Sequence, residues 1–218
     1  MTRLFVRPAR GSDSVDIARL MFMSSDGIAE YIWAPHVVGR GSLIAVGTQR
    51  CARDDVPFSY RNCLIAEQGG RIAGSLHGVA MPLPFDENDP LEDDDPVLQQ
   101  LLRFSDRNSL EIRGLAVYPE FRGQGAATML IETAALQARE QGLARLSVIC
   151  FVANESSISF FRHMGFTEAR RGPSPDHSAF RHTGGEMLLF TRPTAMALTA
   201  EIAALRAEAA NAACESAG

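Results

Sequence analysis

Arg122-Gly123-Gln124-Gly125-Ala126-Ala127 is the stretch of this 218-residue chain whose residue types and spacing are best suited to chemistry. Its small residues let backbone approach a ligand closely, and it opens a helical pattern whose first N–H groups have no internal partner. Unpaired donors at the positive end of a helix dipole favour an anion, a phosphate above all. Two common owners of such loops are excluded by the residues themselves. A P-loop needs Gly-Lys-Ser/Thr, yet all 21 residues counted as Lys+Arg are arginines. A dinucleotide fold needs a third glycine, and Thr128 stands there. A phosphate loop of another kind and a plain strand-to-helix turn remain.

Leu115-Ala116-Val117-Tyr118-Pro119 precedes the loop as Leu-x-Val-x-Pro, and the loop itself reads Arg-x-x-Gly-x-Ala. The combination resembles motif A of the GNAT N-acetyltransferase superfamily. A second segment, Asn154 to Phe166 (NESSISFFRHMGF), is by itself a short helix capped by Asn154 and ended by Gly165. It also resembles motif B of the same superfamily, N-x-x-[AS]-x-x-[FL]-Y-x-x-x-G-F. The resemblance implies acetyl-CoA as acyl donor, with no metal. Its pyrophosphate would lie on Arg122, Gly123, Gln124, Gly125, Ala126 and Ala127, and its pantetheine arm beside Leu115, Ala116 and Val117. A backbone N–H near Val117 would stabilise the oxyanion, and Asn154 would bond the cofactor. The sequence departs from motif B at one place: Phe161 occupies the tyrosine position beside the cofactor and has no proton to give the departing thiolate.

Acyl transfer from a thioester to an amine needs a neutral nucleophile, a stabilised oxyanion and a route to protonate sulfur. Glu111 lies an even number of residues before Leu115 and Val117, so on a regular strand all three face one side. The resemblance implies that Glu111 is the base for direct attack by a primary amine of a small molecule or protein. Its other reading is a carboxylate paired with Arg113 or a neighbouring strand. Tyr31, Trp33 and Tyr60 fall in the region that the resemblance places on the acceptor side, though aromatics there also suit a core. Two alternatives to an enzyme stay open. One is an idle acyl-CoA-binding sensor, suggested by Phe161, and the other is an interaction protein acting through the C-terminal tail.

These residues need a scaffold, and the hydrophobic periodicity supplies one. A strand over Leu4–Ala9 precedes a helix begun at Ser12 or Asp13. Cys63 to Met81 forms a hairpin about Gln68-Gly69-Gly70. Strands over Leu110–Val117 and Leu146–Val152 flank a helix from Ala127 to Gln141, which makes a parallel βαβ unit. Two last strands follow at Thr167–Arg171 and Glu186–Thr191, with His177 and His182 in the loop between them. The resemblance implies an α/β (α+β) GNAT fold over residues 1–193. Its sheet is mixed, mostly antiparallel and six- to seven-stranded, with helices on both faces. Its parallel fourth and fifth strands splay apart beyond a bulge near Ala116.

Composition bounds the rest. A formal charge of −5 offers no footprint for nucleic acid, and no apolar run reaches the ~18 residues needed to span a membrane. Cys51, Cys63, Cys150 and Cys214 show no C-x-x-C spacing, and no secretory segment opens the chain. Free thiols and a cytoplasmic location are expected. The acidic run from Asp86 to Asp95 reads as a solvated loop. In the alanine-rich tail, 194–218, Leu198, Ile202, Leu205, Ala209 and Ala212 form a helical seam suited to a weak homodimer.

Overall fold

A computed structural model describes residues 3–54, 56–81, 95–182 and 184–195. The tail seam and the acidic run before Asp95 lie outside these residues. Seven strands form one sheet: β1 (Leu4–Pro8), β2 (Cys63–Gln68), β3 (Arg71–Met81), β4 (Ser109–Val117), β5 (Arg145–Phe151), β6 (Thr167–Pro173) and β7 (Glu186–Pro193). Their order is β1-β2-β3-β4-β5-β7-β6. Every neighbouring pair is antiparallel except β4/β5, as the βαβ reading requires. Pro8, which lacks a donor, ends an edge strand. Gly69 and Gly70 both take positive φ, 60° and 73°, and this closes the β2–β3 hairpin with the twist its strands need.

Six helices accompany the sheet: α1 (Ser14–Ser24), α2 (Ile28–Trp33), α3 (Leu43–Cys51), α4 (Pro96–Phe104), α5 (Ala126–Glu140) and α6 (Glu155–His163). Alternating strand residues separate the two faces. Leu64 and Ala66 join α5 and α6 in the larger core, while Cys63 and Ile65 join α1, α2 and α3 in a second. A third cluster of Phe104, Phe151, Met187 and Leu189 lies under α4, built from the β5 and β7 residues that point away from α5. The larger core also contains a buried ion pair, Arg192 Nη2 to Glu132 Oε1 at 2.7 Å, which ties β7 to α5. The irregular pattern between Ser24 and Asn62 conceals α2 and α3. The acidic run conceals the start of α4, because Asp95 is its cap: Oδ1 accepts from Val97 N at 2.8 Å and Leu98 N at 3.2 Å.

The element that matters most for the site is a β-bulge. Across β3 and β4, Gly78 faces Ile112 and His77 faces Gly114, so Arg113 is the extra residue. The bulge falls earlier than the expected position near Ala116. It also overturns the expected parity: Leu115 and Val117 pack with Leu110 and Ile112 against α5, and Glu111 faces the other side. A regular strand would keep residues 111, 115 and 117 together, but one inserted residue reverses every side chain beyond it. β4 pairs with β5 only from Ser109 to Ile112, opposite Arg145 to Val148, and beyond that the two strands part.

His77 is wholly buried beside the bulge, with Nε2 2.9 Å from the Pro57 carbonyl. If Nε2 donates there, Nδ1 carries the lone pair, and Nδ1 has no hydrogen-bond partner. Burial pulls its pKa from 6.5 down to about 4; the Pro57 bond opposes the shift and the Arg113 charge assists it. Between these values the unfolded chain binds a proton that the folded chain refuses. Stability therefore falls as pH drops from about 6.5 to 4, by about 3 kcal/mol, and levels off below. Urea unfolding of the wild type and His77→Leu across this window measures the term. Equal pH slopes in the two proteins would contradict it.

Candidate functional site

The glycine loop is positioned from both ends. A single 3-10 turn, Pro119–Phe121, links β4 to the loop. Arg71 Nη2 donates to Glu120 Oε1 at 2.8 Å while its guanidinium lies 4.9 Å from the Phe121 ring centre. Arg122 Nε donates to the Val117 carbonyl at 3.2 Å, and Gln124 Nε2 to the Glu120 carbonyl at 3.1 Å. Gly123 and Gly125 hold φ of 74° and 86°, a region that side-chain-bearing residues seldom adopt. A Cβ on either glycine would meet no atom within 4 Å, so the backbone is open on the side a ligand would take. Gly125 is the N-cap of α5, whose start has no side-chain cap, leaving the orphan donors of Ala126 and Ala127 for that ligand. These features fit a pyrophosphate.

The second part is the gap between β4 and β5. Leu115, Ala116 and Val117 pair with Leu76, Ser75 and Gly74 of β3 on one edge and have no strand on the other. A backbone edge of this kind needs hydrogen-bond partners, and an extended amide chain supplies them. Ser24, Asp26, Cys150, Ser157 and Phe161 line the space, about 70 Å³ in volume. Phe161 is buried, edge-to-face between Phe160 at 5.3 Å and Phe166 at 5.2 Å. Asn154 borders the same region but is engaged at both ends. Its Oδ1 caps α6 through Ser157 N at 3.2 Å, and its Nδ2 donates to Asp26 Oδ2 at 2.8 Å. Asp26, at φ 49°, escapes a motif-based reading; the turn-forming Ser25-Asp26-Gly27 is its only sequence signal. His182 Nε2 approaches Asp26 Oδ1 at 3.8 Å.

The third part is a cavity of about 300 Å³ on the far side of β4. Its walls are Ile28 and Ile32 of α2, Val56, Pro57 and Phe58 between α3 and β2, Leu98, Leu101 and Leu102 of α4, and Phe151 of β5. Glu111 and Arg113 form part of it. Arg113 Nε donates to Glu111 Oε1 at 2.9 Å, and both side chains are nearly withdrawn from water. Glu111 Oε2 is buried with no hydrogen-bond partner among the described residues. Ile112, Arg113 and Ile149 border both the cavity and the gap, so the two spaces meet where β4 and β5 part.

The aromatic residues of the first third are dispersed. Trp33 is in the second core, stacked on Phe22 at 6.4 Å with its ring over Gly47. Tyr60 packs against the edge of that core, under Arg61. Tyr31 donates to Asp95 and meets the His177 ring at 4.5 Å. None of the three lines the cavity; Ile28 and Ile32, on the same short helix as Tyr31, do. Arg50 and Arg53 also reach its wall.

Known proteins share this fold. The sequence profile of the acetyltransferase (GNAT) family matches residues 32–166, from α2 through the gap to α6. A mouse protein described as probable N-acetyltransferase family 8 member 5 is 28% identical over 116 residues, which cover 51% of this chain and 43% of that protein. The match thus spans less than half of the relative's length. A crystal structure described as an acetyltransferase superposes with a TM-score of 0.60 at 18% identity, covering 87% of this chain and 99% of the other. An N-acetyltransferase from Staphylococcus aureus Mu50 superposes equally, at 0.60 and 16% identity, over 86% of this chain and 100% of the other. Similarity at this level shows the fold. No helix among the described residues is long and apolar enough to cross a membrane.

Replacing Gly125 with valine places a branched side chain at φ 86° and fills the space in front of the α5 donors. Coenzyme A binding measured by calorimetry is expected to weaken at least about tenfold. Unchanged affinity in a folded Gly125→Val protein would remove the loop from the site.

Proposed function

Because this chain belongs to the GNAT family of acetyltransferases, we propose that it transfers an acyl group, acetyl above all, from acyl-coenzyme A directly to a primary amine of a small molecule or protein. The observation that supports this reading best is the meeting of gap and cavity at Ile112, Arg113 and Ile149. The gap accommodates an extended chain whose phosphates reach Gly123 and Gly125, and the cavity brings an acceptor to the same point from the other face.

When bound, the donor supplies an electrophilic carbonyl carbon and a thiolate leaving group. The protein must supply a proton acceptor, since a primary amine with a pKa near 10 is cationic at pH 7. Glu111 suits this task. One of its oxygens is held by Arg113, which fixes the rotamer, and the other is buried without a partner beside the cavity. The other reading from sequence, a carboxylate paired with Arg113, is the contact observed, and the proposed base role would use the other oxygen. A backbone N–H near Val117, on the free edge of β4, is our assignment for the oxyanion donor.

Cys150 offers a route through an acyl-enzyme, since it lines the gap. Burial, helped by the Asp26 charge, pushes its thiol up to about 12. It thus stays protonated at neutral pH and is a poor nucleophile. Phe161, unable to protonate sulfur, favours a second reading in which acyl-CoA is bound without turnover. Acetyl-CoA consumption with an amine panel separates the two.

Glu111→Gln is expected to lower kcat by ~10²–10⁴-fold with little change in acetyl-CoA affinity. The deficit should shrink as pH rises, because free amine then forms without a base. A variant with wild-type turnover from pH 6 to 9 (roughly the span over which free amine accumulates) rules out the assignment. For direct transfer, initial-velocity lines should intersect when both substrates are varied. Parallel lines, together with acetylated protein after incubation with acetyl-CoA alone, would argue for Cys150 instead.

A further inference from the structure

The cavity wall combines a large apolar surface with a few charged side chains: Arg50, Arg53, Glu111 and Arg113. Arg113 is engaged with Glu111. Arg50, half-buried in the last turn of α3, makes no ion pair or hydrogen bond among the described residues. The C-terminal end of α3 offsets part of its charge, but a guanidinium partly withdrawn from water beside Ile32 and Phe58 still lacks a counter-ion. This is unusual placement in a chain whose formal charge is −5.

We infer that the acceptor is an amine on an apolar body that also carries a carboxylate remote from the amine, paired with Arg50. The inference rests on the acceptor reading above and specifies its substrate class. The amine belongs at Glu111, where the cavity meets the gap. Arg50 comes from a different element, α3, so the anion it binds is a second group of the ligand, separate from the amine. The same wall includes Ile32, Val56, Leu98 and Leu101, which suits an aryl or alkyl body. Such a ligand gives Arg50 a counter-ion in its carboxylate and brings its amine to the free oxygen of Glu111, while Arg113 keeps the other oxygen. The guanidinium fork matches a carboxylate bidentately, which an ammonium side chain at this position would not do.

The test uses the full chain, acetyl-CoA and three amines: para-carboxyphenethylamine, the matching neutral carboxamide, and phenethylamine. For each, kcat/KM comes from thiol release, and binding is followed separately by calorimetry, in the wild type, Arg50→Gln and Arg50→Lys. In the wild type the carboxylated amine should exceed both neutral ones by roughly ten- to hundred-fold. Arg50→Gln should collapse that ratio towards one, and Arg50→Lys, which keeps charge without the fork, should retain part of it. A wild-type ratio near one, or a ratio unchanged in Arg50→Gln, overturns the inference. If the carboxylated amine binds preferentially but no amine is acetylated, the charge reading stands and the catalytic one falls. Turnover of the neutral amines without that preference does the reverse.

Discussion

One inserted residue in β4 governs how this molecule is arranged. With Arg113 bulged against β3, Glu111 and Arg113 face the α1–α4 side while Leu115 and Val117 turn to α5. The increased local twist of a bulge also carries the end of β4 away from β5, whose pairing stops at Ile112 and Val148. Side-chain direction and strand separation thus have a single cause. A regular ladder would keep Glu111, Leu115 and Val117 on one face, so the carboxylate and the apolar residues that cover α5 could not be separated.

The rest of the fold keeps that opening in place. On one face α5 binds five strands through small residues, with Ala134 and Ala138 fully buried, so the helix lies close to the sheet and its first turn is directed at the glycine loop. On the other face the apolar residues divide into two clusters, one under α1–α3 and one under α4, and the cavity occupies the space between them. A continuous core there would gain roughly 25 cal/mol for each Å² of apolar surface removed from water. The division forgoes that gain and leaves an apolar-walled space with a few charged side chains on its wall, as binding sites commonly have.

Two buried polar atoms flank the bulge: Glu111 Oε2 and His77 Nδ1, neither with a hydrogen-bond partner among the described residues. Such atoms cost free energy in the folded chain and are tolerated where a ligand or proton completes them. His77 stays neutral because burial disfavours its charged form, with the Arg113 charge adding to that effect. Asp26 has an analogous role at the gap, joining the α1–α2 turn to the cap of α6 through Asn154. The walls of the gap are therefore held by polar contacts between segments far apart in sequence.

Local signals carried by the sequence alone were sufficient for the strands, for α1, α5 and α6, and for the glycine loop. Each depends on neighbours within a few residues: alternation, helical spacing, Gly69-Gly70, Gly125 before α5 and Gly165 after α6. The Arg-x-x-Gly-x-Ala and Asn-to-Phe segments likewise identify the family because their backbone geometry is local. What tertiary structure decided was non-local. The bulge at Arg113 has no signature in Glu-Ile-Arg-Gly-Leu, since it arises from register against β3, and it reverses the face on which Glu111 lies. Asp95 reads as one more charge in an acidic run until Pro96 and the apolar residues of α4 find a cluster to cover. Trp33 and Tyr60 are amphipathic enough for a ligand wall or a core, and only the packing of α3 assigns Trp33 to the core. The cavity draws on α2, α3, α4, β4 and β5 at once, so no single segment contains it, and its character follows from which apolar residues the two clusters leave uncovered.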